Sequence, residues 1–192
     1  MAVLPILELP HPTLRQRARK VRKIGPKTLR LAYDLIDTMR DAGGVGLAAN
    51  QVGSLQRVIV VQLPEEEEEE EARIYVNPEI VHREGQREVE EACLSVPGYK
   101  GIINRSVWVK FSALDHTSRT VKLKAEELLA QALEHEVDHL NGILYLDHLE
   151  SHDRLVKVEP ESEQTAEGPQ PGSDAVPAAE AASDTPATLK VR

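Results

Sequence analysis

Residues 124–140 read KAEELLAQALEHEVDHL, a stretch rich in Leu, Ala and Glu and free of Gly and Pro. These residue types favour an α-helix, and Asn141-Gly142 directly after them is a typical helix stop. Leu133, Val137 and Leu140 recur at helical spacing, which indicates a buried side. We therefore predict a largely buried helix over Lys124–Leu140.

The predicted helix carries the pattern H-E-x-x-H at His135, Glu136 and His139. Residues four apart share one helical face, so both imidazoles can bind the same metal ion. Glu136 follows the first histidine directly and can move protons on a water bound to that ion. Because buried His and Glu need partners, the pattern favours a metal site over an exposed His-Glu-His surface.

Two histidines need a third protein ligand, and the sequence offers two candidates. The extended zincin pattern requires a histidine at position 145, where this chain has Tyr145. Glu150 would give a thermolysin-like site, although it lies where the folded region ends. Cys93, the one cysteine of the chain, would give a His-His-Cys site that leaves a fourth position open for water, as catalytic sites do.

The remaining patterns predict a mixed fold. Lys27–Asp41 has helical apolar spacing, with Pro26 at its start and Gly43-Gly44 after its end. Short β-branched or alternating runs predict strands at 57–63, 73–81, 87–94, 107–112 and 120–123. A helix, several short strands and a second helix fit the α+β class rather than repeated βαβ units.

The segment GGVGLAANQVG, residues 43–53, contains a superficial G-x-G-x-x-A pattern. A dinucleotide fingerprint must follow a strand and open a helix, whereas this segment follows a helix, so that function is excluded. Two interpretations stay open. The small residues either form a tight connection with close backbone approach, or they line an extended ligand at which Gln51 is aimed.

Composition narrows the class of protein further. Among the 192 residues, 41% are apolar, enough for a core, and one cysteine excludes a disulfide framework and fits a reducing compartment. No apolar run approaches the roughly 18 residues of a membrane span. The N-terminus lacks a basic leader and is broken by Pro5, so it is a poor signal peptide. We predict a soluble cytoplasmic protein with no membrane partner.

The net charge of −9 is unevenly distributed. Glu65–Glu71 is an unbroken run that contributes −7 and predicts a solvated loop. Residues 158–192 are Glu, Ser, Pro, Ala and Gly without apolar periodicity and contribute −5. We predict a catalytic domain over 1–157, with a remaining charge of +3, and a disordered acidic tail over 158–192. The acidic total argues against direct, specific nucleic-acid binding.

Three segments, taken in order, resemble the motifs of the peptide deformylase family: Gly44–Gln51 (GVGLAANQ), Glu91–Ser95 (EACLS) and Glu134–Gly142 (EHEVDHLNG). The resemblance covers about residues 1–157. It implies an α+β fold in which antiparallel sheets pack around a central, metal-binding HExxH helix, with a further helix near the N-terminus. It also implies a bacterial-type hydrolase that removes the formyl group from the N-terminal formylmethionine of newly synthesised proteins and releases formate.

The resemblance assigns roles to nine residues, namely metal ligands Cys93, His135 and His139; catalytic residues Glu136, Gln51 and Leu94; and substrate-binding residues Gly44, Val45 and Gly46. A metal-bound hydroxide would attack the formyl carbonyl, with Glu136 as general acid and base. The side chain of Gln51 and the backbone N–H of Leu94 would stabilise the oxyanion.

The resemblance further implies one divalent metal ion, Fe(II), which Zn, Ni or Co could displace because they bind such sites more tightly. The expected partners are N-formylmethionyl nascent peptides, and the mildly basic folded part is compatible with contact to the ribosome.

The chain departs from the family pattern at three positions. Ala92 stands where the family usually has Gly before the cysteine, and it would be strained there if the backbone needs a positive φ. Glu134 replaces the usual Gln before the first histidine and adds a negative charge, and Asn50 occupies a variable position. None of these removes a ligand. The alternatives are a metallopeptidase that uses Glu150 and a non-enzymatic metal-binding or ribosome-associated module.

Overall fold

A computed structural model describes residues 2–63 and 72–158, and within them it contains two α-helices and eight strands. The predicted Glu65–Glu71 loop and the predicted tail from residue 159 onward lie outside the described residues. The elements are α1 (Pro26–Asp41), β1 (Gly46–Ala48), β2 (Val58–Val61), β3 (Arg73–Glu84), β4 (Arg87–Ala92), β5 (Tyr99–Arg105), β6 (Trp108–Leu114), β7 (Thr120–Glu126), α2 (Glu127–Leu140) and β8 (Leu155–Lys157).

Two antiparallel sheets organise these elements. The larger sheet has five strands in the order β1-β2-β3-β6-β7, and the smaller has three in the order β4-β5-β8. Every strand pair within them is antiparallel. The predicted α+β class with antiparallel sheets is therefore confirmed. The described part of the chain also contains four short 3₁₀ helices, at Pro12–Arg15, Ala49–Val52, Tyr145–His148 and His152–Arg154.

Helix α2 lies against the larger sheet and contacts all five of its strands. Its apolar residues Leu133, Val137 and Leu140 are buried in one cluster with Ile59 of β2 and Phe111 of β6. Burial of these side chains holds the helix against the sheet, because each Å² of apolar surface removed from water stabilises the fold by about 25 cal/mol. The predicted central, buried helix is confirmed.

The start of α2 differs from the prediction. Lys124, Ala125 and Glu126 belong to β7, where Lys124 pairs with Lys110 and Ala125 with Val109 of β6. The alternation of exposed and buried residues in β7 continues through these three positions, with Ala125 at 1% exposure. Period-two burial in the sheet therefore overrides their helical propensity.

Helix α1 begins one residue earlier than predicted and covers the other part of the larger sheet. Leu35, Ile36 and Met39 are buried there with Leu47 of β1 and Val60 of β2. Three strands were not predicted. Strand β1 arises inside the glycine-rich segment, while β5 and β8 lack a run of β-branched residues.

Among the described residues, none of the helices has both the length and the apolar character that crossing a membrane requires.

Candidate metal centre

Three predicted ligands from two distant segments meet at one point. The candidate donor atoms of Cys93, His135 and His139 all lie within 4.8 Å of one another. Nε2 of His139 is 3.2 Å from the Cys93 sulfur and 3.1 Å from Nε2 of His135. Glu150 is not part of this group, because its side chain is 60% exposed and accepts a hydrogen bond from Asn104 at 2.7 Å.

The donor set of this cluster fits a divalent transition metal. One thiolate and two imidazoles are ligands that such ions prefer, and three protein ligands leave a position for water or substrate. Burial opposes a charge on His135, yet hydrogen bonds with Cys93 and Glu91 raise its pKa well above its usual value. Burial and the charge of His135 lower the pKa of His139. The cluster therefore favours one positive charge, and without a metal ion that charge is the proton on His135.

A network of buried charges orients the first histidine. Nδ1 of His135 donates to Glu91 at 2.7 Å, and Arg105 donates to the same carboxylate at 2.8 and 3.1 Å. Arg105 also donates to Asp138 at 2.6 Å, and Asp138 lies 2.8 Å from Nε2 of His148. Because a carboxylate only accepts, Glu91 holds the proton of His135 on Nδ1 and leaves Nε2 available as a ligand.

The pKa values of the network follow from its hydrogen bonds. Burial alone would raise the pKa of Glu91, but hydrogen bonds from His135 and Arg105 outweigh burial and lower that pKa to about 2. Burial likewise opposes the charge of Arg105, yet its bonds to Glu91 and Asp138 raise its pKa further above an already high value. Both groups therefore stay charged at neutral pH.

Glu136 has a different environment. Its side chain is almost fully buried, and its Oε2 has no hydrogen-bond partner among the described residues. Burial raises the pKa of this carboxyl to about 7, against the opposing charge of His135. A Cβ at position 46 would lie 2.5 Å from Oε1 of Glu136, so any residue other than glycine at this point of β1 would displace the carboxyl. Glu136 is thus a buried acid whose proton is exchangeable near neutral pH.

Gln51 lies beside the cysteine in a fixed orientation. Its Oε1 accepts a hydrogen bond from the backbone N–H of Ala48 at 2.8 Å. The amide nitrogen must therefore face the other way, where it donates to Ser95 Oγ at 3.2 Å and lies 3.8 Å from the Cys93 sulfur. The backbone N–H of Ser95 also points at that sulfur, at 3.4 Å. These donors can hydrogen-bond to the Cys93 sulfur and to a neighbouring oxyanion.

A cavity of about 370 Å³ opens beside the cluster. Predicted site residues that line it are Gly44, Val45, Gly46, Gln51, Cys93, Leu94, His135 and Glu136, whereas His139 is buried beneath them at 1% exposure. Its other lining residues include the apolar Leu128 and Ala132. Strand β1 is an edge strand of the larger sheet, so one side of its backbone is free of a neighbouring strand in that sheet.

The three departures from the family pattern leave the cluster intact. Ala92 does not adopt a positive φ and pairs with Lys100 in the β4–β5 ladder, so the expected strain does not arise. Asn50 donates to the backbone oxygen of His139 at 2.5 Å. Glu134 accepts hydrogen bonds from Arg83 at 2.8 Å and from Ser106, and it does not line the cavity.

Sequence reasoning missed Arg105, Asp138 and His148 as supports of the site. Arg105 had a usable signal, because it follows Gly101 and Ile103 at two-residue spacing on the buried face of β5. A charged residue at such a position needs a buried partner of opposite charge.

Known proteins resemble this chain in both sequence and fold. A sequence model of the polypeptide deformylase family matches residues 3–155. The peptide deformylase of Dehalococcoides mccartyi (strain CBDB1) is 46% identical over 167 residues, which cover 87% of this chain and 98% of that protein. The crystal structure of a peptide deformylase from Legionella pneumophila superimposes with a TM-score of 0.75 at 41% identity, and the match covers 80% of this chain and 89% of that one.

A third relative was solved with a peptide. The Met-Ala-Ser-bound class I type b peptide deformylase from Acinetobacter baumannii superimposes with a TM-score of 0.72 at 34% identity. That match covers 77% of this chain and 99% of the other.

Proposed function

This chain belongs to the peptide deformylase family, whose members remove formyl groups from the N-termini of nascent proteins, and from that premise we propose how its own residues perform the reaction. The observation that carries the proposal is the meeting of Cys93, His135 and His139 within 4.8 Å, beside the buried carboxyl of Glu136.

Cys93, His135 and His139 would hold the metal ion. When bound, a divalent ion supplies Lewis acidity, which brings the pKa of water close to neutrality and polarises a carbonyl oxygen. We propose Fe(II) as the ion in the cell, in keeping with the family resemblance. Zn, Ni or Co could replace it during purification, since Fe(II) is held less tightly by such a donor set.

Glu136 is the proton carrier of the proposed reaction. Its pKa of about 7 suits a group that must accept and return a proton at neutral pH. Glu136 takes a proton from the attacking water, whose oxygen forms a bond to the formyl carbon. It then gives the proton to the leaving amine as the C–N bond breaks, so that formate and a free N-terminal methionine result.

Gln51 and Leu94 stabilise the negative charge that develops on the formyl oxygen. Because the Oε1 of Gln51 is bonded to Ala48, the amide N–H groups are already turned toward Cys93 before substrate binds. Such pre-oriented donors are effective where water is excluded, and removing one in comparable sites lowers kcat by about 10²–10³-fold. The backbone N–H of Leu94, which lines the same cavity, is the second proposed donor.

Gly44, Val45 and Gly46 hold the peptide chain in this proposal. An extended peptide can add to the free edge of β1 through backbone hydrogen bonds, a common mode of peptide recognition. The apolar side chains of Val45, Leu94 and Leu128 around the cavity suit the methionine side chain. The substrate is therefore an extended N-formylmethionyl peptide, consistent with the Met-Ala-Ser ligand of the Acinetobacter relative.

Formate release from formyl-Met-Ala-Ser by the iron-loaded, anaerobic protein tests the proposal. We expect turnover by the wild type and its loss in Glu136→Ala, with the metal content of the variant unchanged. Glu134→Ala is the matched control, because it removes a carboxylate of α2 that does not line the cavity. If the wild-type protein bound metal but released no formate, it would be a non-enzymatic metal-binding module instead.

Cys93→Ser distinguishes this site from a metallopeptidase centre that uses Glu150. The substitution removes the thiolate, so we expect metal content to fall sharply, while Glu150→Gln leaves it unchanged. Retention of metal by Cys93→Ser, together with its loss in Glu150→Gln, would contradict the proposed ligand set.

We also propose that the protein acts in the cytoplasm and contacts the ribosome, because formylated nascent chains emerge there. The charge of +3 that remains without the Glu65–Glu71 run and the tail supports a weak attraction to ribosomal RNA. Co-sedimentation with ribosomes at several salt concentrations tests this contact. We expect stronger binding after deletion of residues 159–192, since their net charge is −5.

A further inference from the structure

A second cavity, of about 430 Å³, shares no lining residue with the cavity at the metal centre. It lies where α2 meets β3 and the segment that precedes α1. Its lining residues are Arg17, Ala18, Lys20, Arg57, Glu79, Ile80, Arg83, Val137 and Asn141. We call it the basic cavity, since four of these side chains are cationic and one is a carboxylate.

Two of the four cations already have carboxylate partners. Lys20 forms an ion pair with Glu79 at 2.6 Å, and Arg83 forms one with Glu134 at 2.8 Å. Arg17 is exposed and makes neither a hydrogen bond nor an ion pair within residues 2–63 and 72–158. The uncompensated positive charge of the basic cavity is therefore that of Arg17 and Arg57.

Arg57 is a buried cation to which no carboxylate of the described residues is bound. Its side chain donates to the backbone oxygens of Pro78 at 3.0 Å and Leu140 at 3.4 Å, and to Oδ1 of Asn141 at 2.9 Å. Its Nε has no partner among the described residues, and the residue is 6% exposed. A buried charge that meets only neutral acceptors is unfavourable, and a counter-ion relieves that cost.

The two arginines also act on each other. Burial and the nearby charge of Arg17 both lower the pKa of Arg57, while Glu79 partly opposes this effect. An anion between the two guanidinium groups would remove their repulsion. Arg17 and Lys20 are exposed and held by at most one surface ion pair, so their side chains can turn toward such an anion at little cost.

We propose that the basic cavity binds a phosphate group, either as free inorganic phosphate or as the terminal phosphate of a small monoester. Guanidinium groups donate two parallel hydrogen bonds to phosphate oxygens, and Lys20 adds a point charge. The volume is within the range of small-molecule sites and leaves room for the organic part of an ester. The occupant would contact Val137 and Asn141 of α2, the helix that carries His135 and His139.

Calorimetric titration of the metal-loaded, full-length protein tests this site, with inorganic phosphate and glycerol 3-phosphate as two separate probes at constant ionic strength. We expect Arg17→Ala to weaken phosphate binding about tenfold, since one charge-assisted interaction is lost. Arg30→Ala is the matched control, because it removes an exposed arginine of α1 that does not line the cavity. Arg17 is exposed, so its loss leaves folding intact.

A second variant should change phosphate affinity in the opposite direction. Glu79→Gln keeps the shape of the side chain, removes the one carboxylate of the basic cavity and releases Lys20, so we expect tighter phosphate binding by several-fold. Phosphate held at the metal centre would be unaffected by either variant, and that result would overturn the proposal. Absence of binding by the wild type, or equal weakening in Arg17→Ala and Arg30→Ala, would overturn it as well. Tighter binding of glycerol 3-phosphate than of phosphate would support a monoester, and equal binding the free ion.

Discussion

Glu91 at the end of β4 and Glu136 on α2 are both 4% exposed, and both act on the imidazole of His135. Glu91 accepts hydrogen bonds from His135 and from two nitrogens of Arg105, and its pKa is lowered to about 2. Glu136 has an oxygen without a partner, and its pKa is raised to about 7. At equal exposure the two pKa values thus shift in opposite directions, because hydrogen-bond donors outweigh burial at Glu91 and burial prevails at Glu136.

The difference divides the surroundings of His135 into two regions. Around Glu91 the buried charges are matched, so this region holds the imidazole in one tautomer and orientation. Around Glu136 the charge is unmatched, which makes that carboxyl responsive to a proton or a cation. A rigid support and a poised acid thus both act on His135, a proposed metal ligand, and five variants with two controls test whether they are separate.

Arg105→Met gives the largest expected effect. The substitution leaves the carboxylates of Glu91 and Asp138 buried without their shared cation. Breaking a buried ion pair in this way lowers the free energy of unfolding by about 3–5 kcal/mol. Urea denaturation of the metal-loaded protein measures the loss.

Arg83→Met is the matched control for Arg105→Met. Arg83 also pairs with a buried carboxylate, Glu134, but its own side chain is 51% exposed, and Ser106 supplies further donors. We expect a loss of about 1 kcal/mol or less. Equal losses in the two variants would mean that the buried Arg105 network stabilises the fold no more than the half-exposed Arg83 pair.

The two carboxylates should show opposite pH dependence in the metal-free protein, where no metal ion favours the ionised form of Glu136. The folded pKa of Glu136, about 7, exceeds the unfolded value of 4.5, so its burial increasingly destabilises the fold as the pH rises through that interval. Glu136→Gln should therefore leave stability unchanged near pH 4 and raise it by up to about 3 kcal/mol at pH 8.

Glu91 has the reverse sign. Its folded pKa of about 2 lies below the unfolded value, so its stabilisation is complete above pH 4.5 and disappears as the pH falls toward 2. Glu91→Gln should accordingly destabilise by a similar amount that stays constant between pH 5 and pH 8. Denaturant unfolding of both variants across this range measures the contrast. If both effects ran parallel with pH, the distinction between the two regions would be lost.

Gly46→Ala tests the region around Glu136 by displacing the carboxyl group itself. The added Cβ would lie 2.5 Å from Oε1 of Glu136, so the carboxylate must move. A displacement of about 1 Å at a reacting group lowers kcat by about 10²-fold. We expect that loss in formate release, with metal content and KM little changed. Gly25→Ala is the control, since a Cβ there meets nothing within 4 Å.

The sequence predicted those parts of the site that depend on local periodicity. His135, Glu136 and His139 could be placed on one face because four-residue spacing fixes their relation within a helix. Cys93 lies 42 residues before the first histidine, and the residues alone left Glu150 as a competitor for the third ligand position. Only the family resemblance favoured the thiol before the structure brought the three side chains together.

The parts that could not be predicted depend on pairing between strands. Arg105 reaches Glu91 because β5 lies beside β4, a register that no local pattern in either strand determines. Helical propensity places Lys124–Glu126 in the helix, whereas their pairing with β6 makes them strand. Propensity describes each segment in isolation, whereas burial depends on how the strands assemble into a sheet.

Glu134→Gln has the smallest expected effect and tests the remaining departure from the family pattern. Glu134 directly precedes His135 in the chain, but its carboxylate accepts hydrogen bonds from Arg83 and Ser106 and does not line the cavity. Its charge is therefore compensated outside the cavity at the metal centre. We expect kcat and the pH profile of formate release to change by less than about twofold, in contrast to Gly46→Ala. A clear shift of the pH profile would show that Glu134 acts on Glu136, and the matched and unmatched regions would then be coupled through α2.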